Sequence, residues 1–370
     1  MKVLVTGGCG FIGSHLTDRL VEKGFDVRII DNLEYQVHQG TVPDYLNPEA
    51  ECIYDDIANE EALKTAIKGV SVIFHLAAAV GVGQSMYQVN KYVNSNTMAT
   101  AKLLDLLVNE THDVKKLIVA SSMSIYGEGT YECQQCGVVY PTLRQPEQFK
   151  RHEWEMKCPL CGNTTKPIPT REDKPLYPTS IYAITKRDQE EMCLTIGRSY
   201  NIPTVALRYF NVYGPRQSLS NPYTGVAAIF SSRIKNNNPP LIFEDGLQCR
   251  DFISVYDIIQ ANLLAMDKEE ADYESFNVGT GKVTSILDIA NILATLYGSN
   301  VKPQIVGKYR IGDIRHCFAD ITKIQKLGFK PQVDLASGIA ELVTWGNPVQ
   351  ANDRVDQAIK ELKDKGLVEV

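Results

Sequence analysis

The sequence lacks any apolar run approaching the roughly 18 residues of a membrane span, so no part of it is expected to cross a bilayer. It passes from Met1-Lys2 directly into "VLV", without the apolar core and small-residue cleavage site of a secretory signal. Dense basic runs are missing too, and the net charge is -6, the opposite of the cationic footprint that nucleic acid selects. Internal repeats and low-complexity tracts are absent. The expectation is a cytoplasmic globular protein that binds neither nucleic acid nor membrane and forms no disulfides.

Cysteine, by contrast, is plentiful for a reducing compartment, with nine in the chain. Cys9, Cys52, Cys193, Cys249 and Cys317 stand alone, most of them among apolar neighbours, and read as core filler. The other four, Cys133 and Cys136 in "YECQQCG" and Cys158 and Cys161 in "KCPLCG", form two C-x-x-C pairs with 21 residues between them. That is close to the spacing of four-thiolate zinc sites. A closed tetrahedral shell leaves no position for a substrate, so the metal expected is a structural zinc. Disulfides or a redox couple are the alternative, and the reducing compartment and the symmetry of the pairs count against it.

Hydrophobic residues make up 44% of the 370, enough for a large core and for two or three domains. The runs "KVLVTGG", "DVRIIDN", "SVIFHLAA", "KKLIVASS" and "TVALRYFNV" alternate with helical periodicity, which predicts an α/β fold with a doubly wound parallel sheet. In "FIGSHLTDRLVEKG", Ile12, Leu16, Leu20 and Val21 share one helical stripe and Gly24 ends it. From Tyr213 onward, Pro- and Asn-rich loops suit a smaller lobe over the C-terminal edge of the sheet, where such folds bind ligands.

In "TGGCGFIG", Gly7, Gly10 and Gly13 follow a strand and open a helix. The pattern allows a tight turn and a close backbone approach to a pyrophosphate at the helix N-terminus. The second strand ends in "IIDN", whose Asp31 is placed to accept from ribose hydroxyls and to repel a 2'-phosphate, so NAD is expected rather than NADP. Phe11, Ile12 and Asn32 belong to the same two turns. "DDI", with Asp56 and Ile57, and "HLAA", with Leu76, Ala77 and Ala78, end strands on the same edge and are expected to line the remainder of the cofactor site. Further on, "SIYAITKRDQEE" sets Tyr182 and Lys186 four residues apart on one helical face. An unperturbed phenol titrates near pH 10, and a neighbouring ammonium is one means of making it a base nearer neutrality.

With the glycine turn, "VASSMSIYG" and "RYFNVYGPRQ", the chain resembles the extended short-chain dehydrogenases/reductases, specifically the NAD-dependent nucleotide-sugar epimerases and dehydratases, from Lys2 to about Pro331. The resemblance implies Ser122 holding a sugar hydroxyl, Tyr182 as general base, and Lys186 lowering its pKa and binding nicotinamide ribose. It adds Asn96 and Tyr209 to the cofactor site. A nucleotide diphosphate sugar would be the substrate, held by Ser122, Ser124, Asn211, Arg216, Arg250 and Arg315, the guanidinium fork being suited to phosphate. Dehydratases of this family carry an acidic pair where this chain has Met123 and Ser124, and without that carboxylate elimination loses its catalyst. The activity implied is therefore 4-epimerisation through a transient 4-keto sugar, with dTDP-L-rhamnose or a UDP-hexose as substrate. A 4-keto reductase, a dehydratase and a non-catalytic NAD sensor are the competing readings. A homodimer through "NTMATAKLLDLLV" and "YAITKRDQEEMCLTIG" is implied as well.

Ser122 and Tyr182 are 60 positions apart, far more than the family places between them, and the excess contains all four paired cysteines. The expected division is therefore an NAD-binding domain at 1–128 and 168–210, rejoined by 248–265, with an inserted zinc ribbon at 129–167 and a sugar-binding lobe at 211–247 and 266–370. The insert is expected to form a flap at the mouth of the sugar pocket.

Overall fold

The computed structural model describes residues 1–310 and 312–368. Val3, Leu4 and Val5 have no solvent exposure. A strand apolar at every position must be covered on both faces, and that requirement is what makes the sheet doubly wound. Seven parallel strands form it: β1 (Lys2–Thr6), β2 (Asp26–Ile30), β3 (Glu51–Ile53), β4 (Val72–His75), β5 (Lys116–Ser122), β6 (Thr204–Tyr209) and β7 (Ser275–Val278). Their spatial order is β7-β6-β5-β4-β1-β2-β3. The winding reverses between β1 and β4, which opens a crevice beyond their C-terminal ends.

Helices cover both faces. On one, α1 (Phe11–Glu22) lays Leu16 and Leu20 against Val3, Val5, Val27 and Phe74. The other face is closed by α2 (Ala99–Asn109), through Leu103, Leu104 and Leu107, and by α3 (Ile181–Tyr200), through Cys193 and Leu194. The start of α3 is set by Ser180, whose hydroxyl accepts from the Ala183 amide at 3.1 Å, satisfying one of the free N–H groups of the first turn. Asn201 ends the helix in the left-handed region. Together α3 and β6 bury an ion pair in which Arg208 donates to Glu190 from Nε and Nη2 and to the Tyr126 hydroxyl from Nη1.

One boundary differs from expectation. β7, assigned from sequence to the sugar lobe, pairs with β6 and is the edge strand of the central sheet. Four residues and an acidic approach, "DKEEADYE", hid it, because an edge strand needs little hydrophobic pattern when its partner supplies register. Of the lone cysteines, Cys9, Cys193 and Cys317 are core residues, whereas Cys52 and Cys249 are only half-buried. The lobe has its own core, built around Phe230, Ile234, Ile289, Leu293, Ile339 and Leu342.

The segment carrying the paired cysteines is a small antiparallel sheet of Gly137–Val139, Thr130–Cys133 and Lys166–Ile168. It has a separate apolar cluster of Tyr131, Val139 and Met156 around the cysteines. It leaves the central fold after β5 and returns before α3, so neither the sheet nor its covering helices are interrupted. No helix among the described residues is long and apolar enough to cross a membrane.

Candidate active site

A cavity of about 680 Å³ occupies the crevice and runs from the glycine turn across the ends of β4 and β5 into the lobe. Gly7 adopts a φ of +70°, and a Cβ there would lie 2.9 Å from the Ala77 backbone, while one at Gly13 would strike the Gly7 carbonyl. Those two glycines are needed for backbone packing. Gly10 differs: a Cβ on it would meet only the Gly7 oxygen at 3.3 Å and otherwise project into the cavity. Its bare backbone, beside the first-turn N–H groups of α1, is the cradle that a pyrophosphate fits. Asp31 accepts from the Cys9 and Leu33 amides at 3.0 and 2.9 Å, which fixes its carboxylate at the end of β2.

Phe11, Ile12, Asn32, Asp56, Ile57, Leu76, Ala77, Ala78 and Tyr209 all line this cavity. Asn96 does not. It is fully buried, and its amide binds both backbone polar groups of Ala79, accepting from N at 2.7 Å and donating to O at 3.1 Å. It shapes the cavity wall from behind.

Ser122, Ser124, Tyr182 and Lys186 meet at the ends of β5 and α3. The Ser124 hydroxyl and amide both donate to Ser122 Oγ, at 2.9 and 3.2 Å. Burial pushes the Tyr182 phenol above its ordinary range, and the hydrogen bond to Ser122 acts against that push. Lys186 is 3% exposed, and burial pulls its ammonium down to about 8. Its Nζ donates to Gln189 Oε1 at 2.8 Å, and no carboxylate lies within ion-pair distance of it among the described residues.

Substrate-side expectations divide. Asn211 lines the cavity, and its buried side-chain oxygen has no hydrogen-bond partner among the described residues, as a ligand-facing group would. Arg250 lines the cavity too, though its Nη atoms hold the Ile314, Arg315 and Cys249 carbonyls. Arg216 and Arg315 are corrected. Arg216 pairs with Asp18 at 2.7 Å and lies over the Tyr45 ring, away from the cavity lining. Arg315 is fully buried in an ion network. The cation that reaches the cavity from "YRIGDIRH" is Arg310, stacked 4.5 Å from the Phe243 ring centroid. Neither was expected, because two arginines five positions apart are equivalent until the fold turns one inward. The helix Val355–Asp364, also unforeseen, closes the cavity with Val355, Ala358 and Leu362, and its Glu361 accepts from the Tyr87 and Tyr223 hydroxyls at 2.9 Å each.

None of residues 129–167 lines the cavity, so the expected flap is corrected as well. The insert instead clasps the outer side of the cavity wall. Its Arg144 makes a two-pronged bond to Glu244 at 2.7 and 2.8 Å. Glu155 accepts from Arg315 and His316, and Phe149 stacks on Tyr309 with ring centroids 4.4 Å apart. Against the upward push of burial, the bonds from His316 and Arg315 hold the Glu155 carboxyl down at about 2. Those partners are neighbours in sequence of Phe243, Arg310, Asp313 and Ile314, which face the cavity. Within the insert, one Sγ from each of Cys133, Cys136, Cys158 and Cys161 lies within 4.8 Å of the others. Tetrahedral thiolates about 2.3 Å from a zinc ion sit about 3.8 Å apart, so the donor set fits such an ion.

A glycine cradle for a dinucleotide, facing a Ser-Tyr-Lys cluster across one cavity, defines a dinucleotide-dependent enzyme that works on a hydroxyl-bearing substrate. The sequence profile of the NAD dependent epimerase/dehydratase family matches residues 3–145 and 158–279, and the chain belongs to that family. A dTDP-L-rhamnose 4-epimerase of Burkholderia thailandensis is 36% identical over 348 residues, covering 93% of this chain and 94% of the relative. Among solved structures, the UDP-glucose 4-epimerase of Thermotoga maritima with UDP-glucose is 32% identical with a TM-score of 0.75, covering 94% of this chain and 99% of that one. The UDP-glucuronic acid 4-epimerase of Bacillus cereus in complex with UDP-glucuronic acid and NAD is 28% identical, with a TM-score of 0.76 and coverage of 95% and 100%. The chain is accordingly an isomerase of the nucleotide-sugar epimerase kind.

The clasp makes a specific prediction. Arg144→Met strands the buried Glu244 carboxylate with only part of its compensation, a defect that costs about 3 kcal/mol and is readable in chemical denaturation. Because Glu244 adjoins Phe243, titration with UDP or dTDP should weaken while NAD retention through gel filtration stays as in the parent. Unchanged nucleotide binding in a destabilised variant would show that the cavity wall stands without the clasp.

Proposed function

We propose that this protein epimerises a nucleotide diphosphate sugar at C4 through a transient 4-keto sugar, with dTDP-L-rhamnose as the leading substrate and a UDP-hexose as the second. The observation that carries this reading is the meeting of Ser122, Tyr182 and Lys186 in one cavity, with Met123 and Ser124 where elimination would need a carboxylate. NAD, when bound in the glycine cradle, supplies the acceptor and later the donor of the C4 hydride. Tyr182 takes the C4 hydroxyl proton and returns it, Ser122 orients that hydroxyl, and the Lys186 ammonium favours the phenolate that burial alone disfavours. Asn211, Arg250 and Arg310 meet the diphosphate, and Phe243 offers a face for the base. The leading sugar rests on the dTDP-L-rhamnose 4-epimerase relative.

A direct route at C4 needs no carbanion at a neighbouring carbon. In heavy water, proton NMR should therefore show the C4 epimer accumulating with no deuterium at C3 or C5. Label at C5 would replace epimerisation with dehydration or 3,5-epimerisation.

The four cysteines hold a structural zinc in this reading, and such a site can contribute on the order of 10 kcal/mol to ordering a small module. Protein made under reducing, metal-replete conditions should contain about one zinc per chain by elemental analysis, and Cys133→Ser with Cys136→Ser should release it. Metal-free parent protein with an ordered insert would end that assignment. We also place a homodimer contact on the helices near Met98 and Ile184, which leave those apolar side chains exposed.

A further inference from the structure

Lys186 does not end in solvent or on an acid; it begins a chain of buried hydrogen bonds. Nζ donates to Gln189 Oε1 at 2.8 Å, Gln189 Nε2 donates to Thr100 Oγ1 at 2.8 Å, and the Thr100 hydroxyl donates to the Asn96 carbonyl at 2.7 Å. Since Thr100 has spent its one proton, His75 Nε2, 2.8 Å away, must donate to it. His75 Nδ1 is then an acceptor and takes the Thr6 hydroxyl proton at 2.9 Å, while Thr6 Oγ1 accepts from the Ala77 amide at 3.1 Å. Every direction in the chain is thus determined. Reversing the Gln189 amide would set N–H groups against the ammonium, so its oxygen faces Lys186 and cannot turn.

We propose that Gln189 is a positioning residue for the epimerisation, an acceptor that aims the Lys186 ammonium at the reacting end of the cavity while leaving its charge unneutralised. The inference rests on the reading of Tyr182 as base and Lys186 as its activator. An aspartate or glutamate at the same place would hold the ammonium as firmly, but its negative charge would cancel the field that phenolate formation uses. A neutral amide oxygen separates the two tasks. The other groups facing Lys186 do not disturb this: Glu190 on the same helix is committed to Arg208, and Cys193 is a buried thiol pushed up to about 12. On β4, His75 is pushed down to about 3 and stays neutral.

The test is the pH profile of turnover for Gln189→Glu and Gln189→Met, with Tyr182→Phe as control and NAD content measured for each. A carboxylate in contact raises the pKa of both Lys186 and Tyr182, so in Gln189→Glu both limbs of the profile should move up by about one unit or more. Gln189→Met removes the acceptor that favours the charged amine, so its alkaline limb should move down. Thr100→Val, which frees the Gln189 amide while keeping its volume, should move that limb the same way and serves if the Met variant does not fold. Opposed shifts support the inference. Folded variants with reduced turnover but an unmoved profile overturn it, leaving Gln189 as core packing alone. If Tyr182→Phe keeps parental turnover, the underlying reading falls and the inference with it; if that control is inactive and the profiles do not move, only the inference falls.

Discussion

A buried ammonium left unneutralised is the constraint around which this active site is arranged. Removing a charge from water costs several kcal/mol even after relaxation, and for the buried guanidinium groups the chain offsets that cost with acids. Arg208 is closed against Glu190, Arg144 against Glu244, and Arg315 against Glu155, Glu244 and Asp245. The two deep ammonium groups are met by neutral oxygens instead, Lys174 by the Tyr126 and Pro175 carbonyls and Lys186 by the Gln189 amide, and of the two only Lys186 lines the cavity beside a phenol. The contrast separates structural cations, whose field is cancelled on the spot, from one whose field stays available to a neighbouring phenol. Burial draws the Lys186 ammonium down to about 8, with Cys193 and Glu190 resisting that pull only through space.

Such a cation persists only if the surrounding structure is stable enough to bear it, and the sheet provides that. Val3 to Val5, Ile73, Phe74 and Leu117 to Val119 are buried on both faces, so the C-terminal ends of β1, β4 and β5 are fixed relative to one another. The hydrogen-bond chain from Lys186 ends on Thr6 and Ala77, beside Gly7, where the backbones of β1 and β4 approach too closely for a Cβ. The glycine turn and Lys186 are therefore joined by one set of bonds.

The insert follows a different logic. It carries its own apolar cluster and four thiols, and it enters and leaves between β5 and α3, so the sheet does not depend on it. What it adds is charge: the buried Arg144 and the half-buried Glu155 complete a network whose other members belong to the lobe. Residues on the far side of those same segments form the cavity wall. An element outside the cavity thereby braces those segments from behind, and its own apolar cluster is separate from the central core.

Much of this was legible in the sequence, and the boundary of legibility has a physical cause. Strand runs, the glycine turn, Asp31, the Tyr182–Lys186 pair and the C-x-x-C spacing are local patterns, fixed by periodicity and by chemistry within a few residues. Arg310 and Arg315 are not: both sit in one short loop, both suit a phosphate, and only the carboxylates of distant segments decide which is drawn into the core. Asn96 was a plausible cofactor contact by type, yet the Ala79 backbone and the Thr185 hydroxyl claim its side-chain amide. Gln189, three positions beyond Lys186 on the buried face of α3, reads as an unremarkable helical glutamine until Thr100 is brought against it. Residues that touch a ligand can be guessed from what they are, whereas residues that act by orienting another are defined by a third partner, and that partner is supplied by the fold.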